Sequence, residues 1–325
     1  MKLCLFTEFE TDWARGEWNR LTAAWSGPCE IVTGVDDADA ILVTLVDGSR
    51  PYDDTIATLK RHDVWRRHRN RVFVFDTSDQ PLGYFPGLYA SLRRRWYSSA
   101  RHRTTCYFQS FNEYIQQQPI TPRPSLLFSF QGNATSPVRE RLFQLSFDRP
   151  DVVVERTEPF WAVIGADSTR PFKARYADTL GQSRFVLCPR GNGASSYRLF
   201  ETMQSGRVPV IIADAWVPCE HIDWRACSIR VAERDIDRLP QICESYEQHW
   251  ESMARAARHT WEQWFSSEGL AALIVASIRD IRATRRLPEE WYALEWPLRS
   301  AAMAARRGLV QARRQAGTVI RRVSR

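Results

Sequence analysis

The feature that most restricts this chain is a series of short, mostly apolar runs rich in β-branched and aromatic residues, at 2–6, 30–32, 40–46, 71–75, 126–130, 152–155, 185–188 and 208–212. A strand with one wet face alternates apolar and polar residues, whereas a strand covered on both faces reads as a continuous apolar run. Stretches with helical spacing lie between many of these runs, at 53–68, 137–146, 172–180 and 197–205. Continuous apolar strands alternating with helices predict an α/β fold with parallel sheets.

A length of 325 residues suits two domains, each with its own core. The run 116–125, QQQPITPRPS, is polar and carries three prolines, which continue neither a helix nor a central strand. It divides the chain into a first domain over 1–118 and a second over 125–267. C-terminal helices follow over 268–325, with a break at Pro288.

Charge is unevenly spread. The net charge is +7, yet 298–325 alone carries eight Arg and no acid, and the rest of the chain is near neutral. The body is therefore no polyanion-binding surface, and nucleic acid is not expected as a partner. The tail repeats small or apolar residues at heptad-like intervals, with Arg307, Arg314 and Arg321 seven apart. It reads as a basic amphipathic helix that contacts anionic membrane from the cytoplasmic side, pairs with a partner helix, or packs on the protein. Seven scattered cysteines without a CxxC pair argue against a zinc site or a disulfide framework and suit reduced thiols in a cytoplasmic protein. The start of the chain has no signal-peptide apolar region, and no run of 18 apolar residues predicts a membrane span. The six His show no HExxH or HxxxH spacing, and Asp37-Ala-Asp39 and Asp235-Ile-Asp237 read as turns or caps, so no metal is expected.

The most informative segment is 183–214, SRFVLCPRGNGASSYRLFETMQSGRVPVIIAD. It reads as strand, tight loop, helix and strand. Pro189 ends the first strand; Gly191 and Gly193 supply positive φ or close backbone approach; Ser195 suits an N-cap; Gly206 stands where a helix C′ residue belongs. A glycine-rich loop feeding a helix N-terminus is an anion site, because free N–H groups and the helix dipole face the ligand. A cation in the first turn, Arg198, opposes that dipole unless an anion lies between them. Arg190 adds a second cation on the other side of the loop. Glu201 shares a helix face with Arg198, and two readings stand: an i,i+3 ion pair, or a carboxylate that accepts ribose hydroxyls while Arg198 holds a diphosphate.

The run from Cys188 through Pro-Arg-Gly-Asn-Gly-Ala-Ser-Ser-Tyr-Arg-Leu-Phe to Glu201, followed by Gly206-Arg-Val-Pro-Val-Ile-Ile-Ala-Asp214, resembles the exostosin-domain glycosyltransferases. Upstream, Leu127-Phe-Ser-Phe-Gln-Gly132 and then Arg139 resemble the strand and turn that open the donor half of that domain. Downstream, Ile222-Asp-Trp224, Glu233-Arg-Asp-Ile236 and Leu239-Pro240 fit as well. The resemblance implies a GT-B fold: two Rossmann-like, doubly wound domains facing a cleft, the first on the acceptor side. It implies inverting transfer from a UDP-linked sugar to a glycan, lipid-linked glycan or other hydroxyl acceptor, without an obligatory metal. The donor is then a substrate and no cofactor is expected. Carried onto this chain, Glu201 binds the ribose; Arg190, Gly191, Gly193, Ser195, Ser196 and Arg198 hold the diphosphate; and Gly132 and Arg139 line the other side of the pocket. Animal exostosins begin with a membrane anchor that has no counterpart here, so Golgi residence and a heparan acceptor are not carried over.

Inverting transfer needs a carboxylate or His to deprotonate the acceptor hydroxyl, placed beyond the C-terminal end of a strand at the cleft. Glu8, Asp47, Asp76 and Asp79 qualify. Asp79 and then Asp76, in FDTSDQP, are preferred because that loop is richest in polar groups, although an Asp after a strand also commonly forms an Asx-turn. Two alternatives remain. Gly191-x-Gly193-x-x-Ser196, with Asp214 ending the next strand, nearly matches the fingerprint of an NAD(P)-dependent oxidoreductase. A non-catalytic nucleotide-sugar-binding protein would share the same loop.

Overall fold

A computed structural model describes residues 1–9, 11–23, 25, 29–45, 52–79, 83–107, 112–158, 166–292 and 294. The first sheet is built from β1 (Lys2–Phe6), β2 (Glu30–Val32), β3 (Ala40–Leu45), β4 (Val72–Asp76), β5 (Gly87–Tyr89) and β6 (His102–Thr104). Helices α1 (Asp12–Ala23), α2 (Tyr52–Arg61) and α3 (Asp63–His68) are interleaved with its early strands. The second sheet holds β7 (Leu126–Gly132), β8 (Val152–Arg156), β9 (Ser183–Pro189), β10 (Val208–Ile212) and β11 (Ile229–Arg230). With it run α4 (Pro137–Gln144), α5 (Ala166–Gly181), α6 (Tyr197–Gln204), α7 (Trp224–Cys227), α8 (Leu239–Ser245) and α9 (Trp250–Trp264), and α10 (Ser267–Thr284) comes last.

Every named strand pair is parallel. The strand orders are β2-β1-β3-β4-β5-β6 and β11-β10-β9-β7-β8. Both are doubly wound: the order reverses between β1 and β3 in the first sheet and between β7 and β9 in the second. In such sheets ligands sit outside the carboxyl ends of the strands at the reversal. Two parallel doubly wound sheets, joined through 116–125, make this an α/β fold of the GT-B type.

The apolar runs become strands because both of their faces are covered. All six residues of β3 and all five of β4 and of β10 are buried. Strands β5, β6 and β11 are not readable as apolar runs. They are only two or three residues long, and β6 is His102-Arg103-Thr104, polar side chains that are nevertheless buried. Arg103 is tolerated there because it donates to the backbone carbonyls of Ser99 and His102 and lies near Glu220 and Asp280.

After α9 packs on α6 and β10 of the second layer, the chain returns to the first, where α10 covers β5 and β6. One apolar cluster therefore runs from Leu42 and Phe75 through Leu273, Ile274 and Ile278 to Leu199, Met203 and Ile211. Among the described residues no helix is long and apolar enough to cross a membrane. Asp47 and the basic tail at 298–325 lie outside the described residues.

Candidate functional site

The site sits at the reversal of the second sheet. A cavity of about 370 Å³ opens beyond the ends of β7 and β9, bounded by the loop before α6, by α5 and by the first domain. Of the residues read from the sequence, Asp79, Gly132, Arg139, Gly191, Ser195, Ser196, Arg198 and Glu201 line it; Asp76, Arg190 and Gly193 do not.

Two guanidinium groups dominate the cavity. Arg139, on α4, is 7% exposed and donates to the Pro189 carbonyl at 3.0 and 3.2 Å and to the Asn133 carbonyl at 3.3 Å. Arg198, in the first turn of α6, donates through Nε to the Gln131 carbonyl at 3.1 Å. Both lean on one ring, with Cζ of Arg139 at 5.6 Å and of Arg198 at 4.8 Å from the Phe130 centroid. Gly132 permits this approach, because a Cβ there would lie 2.6 Å from Nη2 of Arg198. Neither arginine has a carboxylate within ion-pair distance among the described residues. Burial, followed by the neighbouring Arg198 charge, holds Arg139 down to about 9, so it still carries its charge at neutral pH. Two like charges brought together in a low-dielectric wall without counter-ions are costly, and a multivalent anion between them removes the cost.

Around these arginines stand hydroxyl and amide atoms with nothing to bond. Ser195 Oγ, Ser196 Oγ, Thr135 Oγ1 and Gln131 Oε1 are buried and lack a hydrogen-bond partner among the described residues. All four residues line the cavity. The N-cap of α6 is Ser196, one residue later than the sequence suggests, and its hydroxyl does not cap the helix. Buried polar atoms are nearly always satisfied, so a group of four around one cavity points to a ligand.

Glu201 lines the cavity beside Arg198. It makes no ion pair with Arg198 among the described residues; instead it accepts the Tyr176 hydroxyl at 2.7 Å. Burial raises its pKa, against the lowering effects of Tyr176 and Arg198. Arg190 turns to the far side of the loop, where Glu233 takes Nε at 2.7 Å and Nη2 at 3.2 Å. Its charge is matched there, by a residue 43 positions downstream.

Asp79 enters from the first domain, just beyond β4. Its Oδ1 accepts the Tyr107 hydroxyl at 2.9 Å. Burial raises its pKa, and Tyr107 and Arg139 partly offset that rise. Asp76 is buried at the end of β4 and accepts the Ser78 N–H at 2.8 Å, the geometry of an Asx-turn. Glu8 is exposed and 3.4 Å from His62.

The two domains touch at the cavity rim. Ala194 N–H donates to Ser91 Oγ at 2.7 Å, and the rings of Tyr107 and Tyr197 lie 4.0 Å apart at 35°. Gly193 is set by close approach and not by positive φ: a Cβ would fall 2.0 Å from Ser91 Oγ and 2.9 Å from Asp79 Oδ1. Asp214, which a dinucleotide reading would place on a ribose, instead accepts the Glu233 N–H at 3.1 Å and does not line the cavity.

In a two-domain, doubly wound α/β protein the sheet reversal is where ligands are bound, and here two arginines and a helix N-terminus meet at that point. Residues 90–246 match the family model described as the Exostosin GT47 domain. The Exostosin-1 homolog of Caenorhabditis elegans is 37% identical over 95 residues, 28% of this chain and 25% of that protein. Exostosin-1 of Drosophila melanogaster is 28% identical over 202 residues, 58% of this chain and 25% of that protein. A probable glycosyltransferase of Arabidopsis thaliana is 32% identical over 125 residues, 38% of this chain and 22% of that one. The chain thus spans about a quarter of the length of these curated relatives. The solved structure of the DNA-modifying enzyme β-glucosyltransferase is 13% identical, covering 86% of this chain and 99% of that one, with a TM-score of 0.45. The likeness is distant, and the fold assignment rests on the chain's own strand order.

Proposed function

We propose that the protein is a metal-independent, inverting glycosyltransferase that moves a sugar from a nucleotide-diphosphate donor, UDP-linked, to a hydroxyl of a glycan or lipid-linked glycan. The observation that carries this reading is the pair of Arg139, buried on α4, and Arg198, half-buried in the first turn of α6, without carboxylate partners among the described residues. A diphosphate supplies the missing negative charge, and the Ser195 and Ser196 hydroxyls have donors to give it. Glu201, held by Tyr176, is an acceptor for ribose hydroxyls. Arg190, spent on Glu233, takes no direct part.

In the reaction, the Asp79 carboxylate takes the proton of the acceptor hydroxyl as its oxygen bonds to the anomeric carbon. The bond from that carbon to the β-phosphate oxygen breaks on the opposite face, which inverts the centre. The electron pair leaves with the diphosphate, where Arg139, Arg198 and the helix N-terminus stabilise the developing charge. All the charge stabilisation needed by the leaving group is thus available from side chains and backbone. The seven free thiols support a reducing, cytoplasmic setting. The test separates binding from chemistry. Asp79→Asn should keep UDP binding and abolish transfer and donor hydrolysis, whereas Arg198→Ala should weaken UDP itself. An Asp79→Asn protein with full transfer activity would remove the base from this scheme.

A further inference from the structure

Past α10 the chain forms a strap along the first domain. Glu289 is fully buried there, taking Nη2 of Arg101 at 2.7 Å and lying 3.4 Å from Arg285. Its backbone N–H donates to Asn70 Oδ1 at 3.0 Å, and Arg285 donates to the Asn70 carbonyl at 2.9 Å. The strap is therefore fixed in one orientation, with Glu289 facing inward. Three large apolar side chains face out: Leu287 is 49% exposed, Trp291 61% and Leu294 68%. Trp291 and Leu294 are three apart in the helical turn that follows Pro288, and Leu287 stands in the bend just before it. They are half of the six exposed large hydrophobic residues among those described, gathered into eight positions.

Arg286 is exposed beside Leu287; at the end of α3, Arg66 and Arg67 pair with Asp63, and Arg69 reaches Glu290 of the strap at 3.5 Å. In sequence, Leu294 stands just ahead of 298–325, with its eight Arg and no acid. A protein partner of ordinary composition would not call for so one-sided a charge. An anionic bilayer does: it takes Trp and Leu at the headgroup boundary and draws Lys and Arg to its surface.

We propose that Leu287, Trp291 and Leu294 form a membrane-docking face that inserts into the interface of an anionic bilayer, with Arg286 and the arginine-rich segment that follows in sequence on the headgroups. The strap lies at the N-terminal ends of β4, β5 and β6, near Asn70, Tyr84 and Arg101, whereas the cavity lies beyond the C-terminal strand ends. Docking therefore leaves the cleft open. The inference stands independently of the proposed transferase activity.

The experiment is co-sedimentation of the full chain with vesicles of phosphatidylcholine, alone or with about one third phosphatidylglycerol. The wild-type protein should bind the mixed vesicles and not the neutral ones. A Leu287→Ser, Trp291→Ser, Leu294→Ser triple variant should bind them about tenfold or more weakly, with an unchanged thermal melt and far-UV circular dichroism. Failure of the full chain to bind mixed vesicles overturns the proposal, and so does undiminished binding by the triple variant, which would assign membrane contact to the tail alone. A dimer seen by light scattering, dissolved by the triple variant and accompanied by no vesicle binding, would instead make a second copy the occupant.

Discussion

At the scale of single residues, the site is defined by charges that lack partners and by the residues that orient them. Under the proposed function, replacing Arg198 or Arg139 with Ala removes a charge-assisted contact to phosphate, worth about 1.5–3 kcal/mol. UDP affinity measured by calorimetry should fall roughly ten- to a hundredfold for each change. Arg190→Ala should weaken UDP far less, because Glu233 already holds that guanidinium. Glu201→Ala should remove discrimination between UDP and its 2′-deoxy analogue, read as a ratio of the two affinities. The acid limb of transfer should report Asp79, which must be ionised to take a proton. Burial raises its pKa, so the limb lies above the ordinary value for an aspartate, and activity falls as pH drops through it. Tyr107→Phe deletes a hydrogen bond that favours the ionised form. It should therefore move the limb to higher pH in a pH–rate profile while leaving UDP affinity intact.

At the scale of elements, β9, the loop before α6, α6 itself and β10 were legible because they are contiguous. A glycine-rich loop between a strand and a helix N-terminus announces an anion site from local sequence alone, and a cation in the first helical turn sharpens it. What local sequence does not carry is direction. The side to which Arg190 turns depends on Glu233, and whether Glu201 pairs with Arg198 depends on Tyr176 from α5. Thr135, Tyr107 and Tyr176 gave no signal, because each acquires its role only where separate elements meet. The short strands stayed hidden for related reasons: β5 is only three residues long, and the polar residues of β6 are buried by tertiary contacts and not by a periodic pattern. The sequence also left open whether Gly193 serves φ or close approach, and the contact with Ser91 decides for close approach. Gly193→Ala should consequently cost about 1–3 kcal/mol in denaturant unfolding, and Ser91→Ala should restore part of that loss by removing the nearest clashing atom.

At the scale of the whole molecule, the candidate base and the candidate donor site come from different domains. Asp79 belongs to the first sheet and the arginines to the second, and they are brought together by the Tyr107–Tyr197 stack and by the return of α10 to the first layer. The strand, loop, helix and strand of 183–214 could be read from the chain, but the meeting of two distant loops at one cavity could not. The central claim is that this cavity holds a nucleoside diphosphate between Arg139 and Arg198. Calorimetric titration of UDP into the wild-type protein and into Arg198→Ala, with NAD as the competing ligand, tests it most directly. The account predicts a single UDP site in the wild type, at least about tenfold weaker in the variant, and no displacement of UDP by NAD. Undiminished UDP binding by Arg198→Ala, or NAD binding that UDP does not compete with, would contradict it.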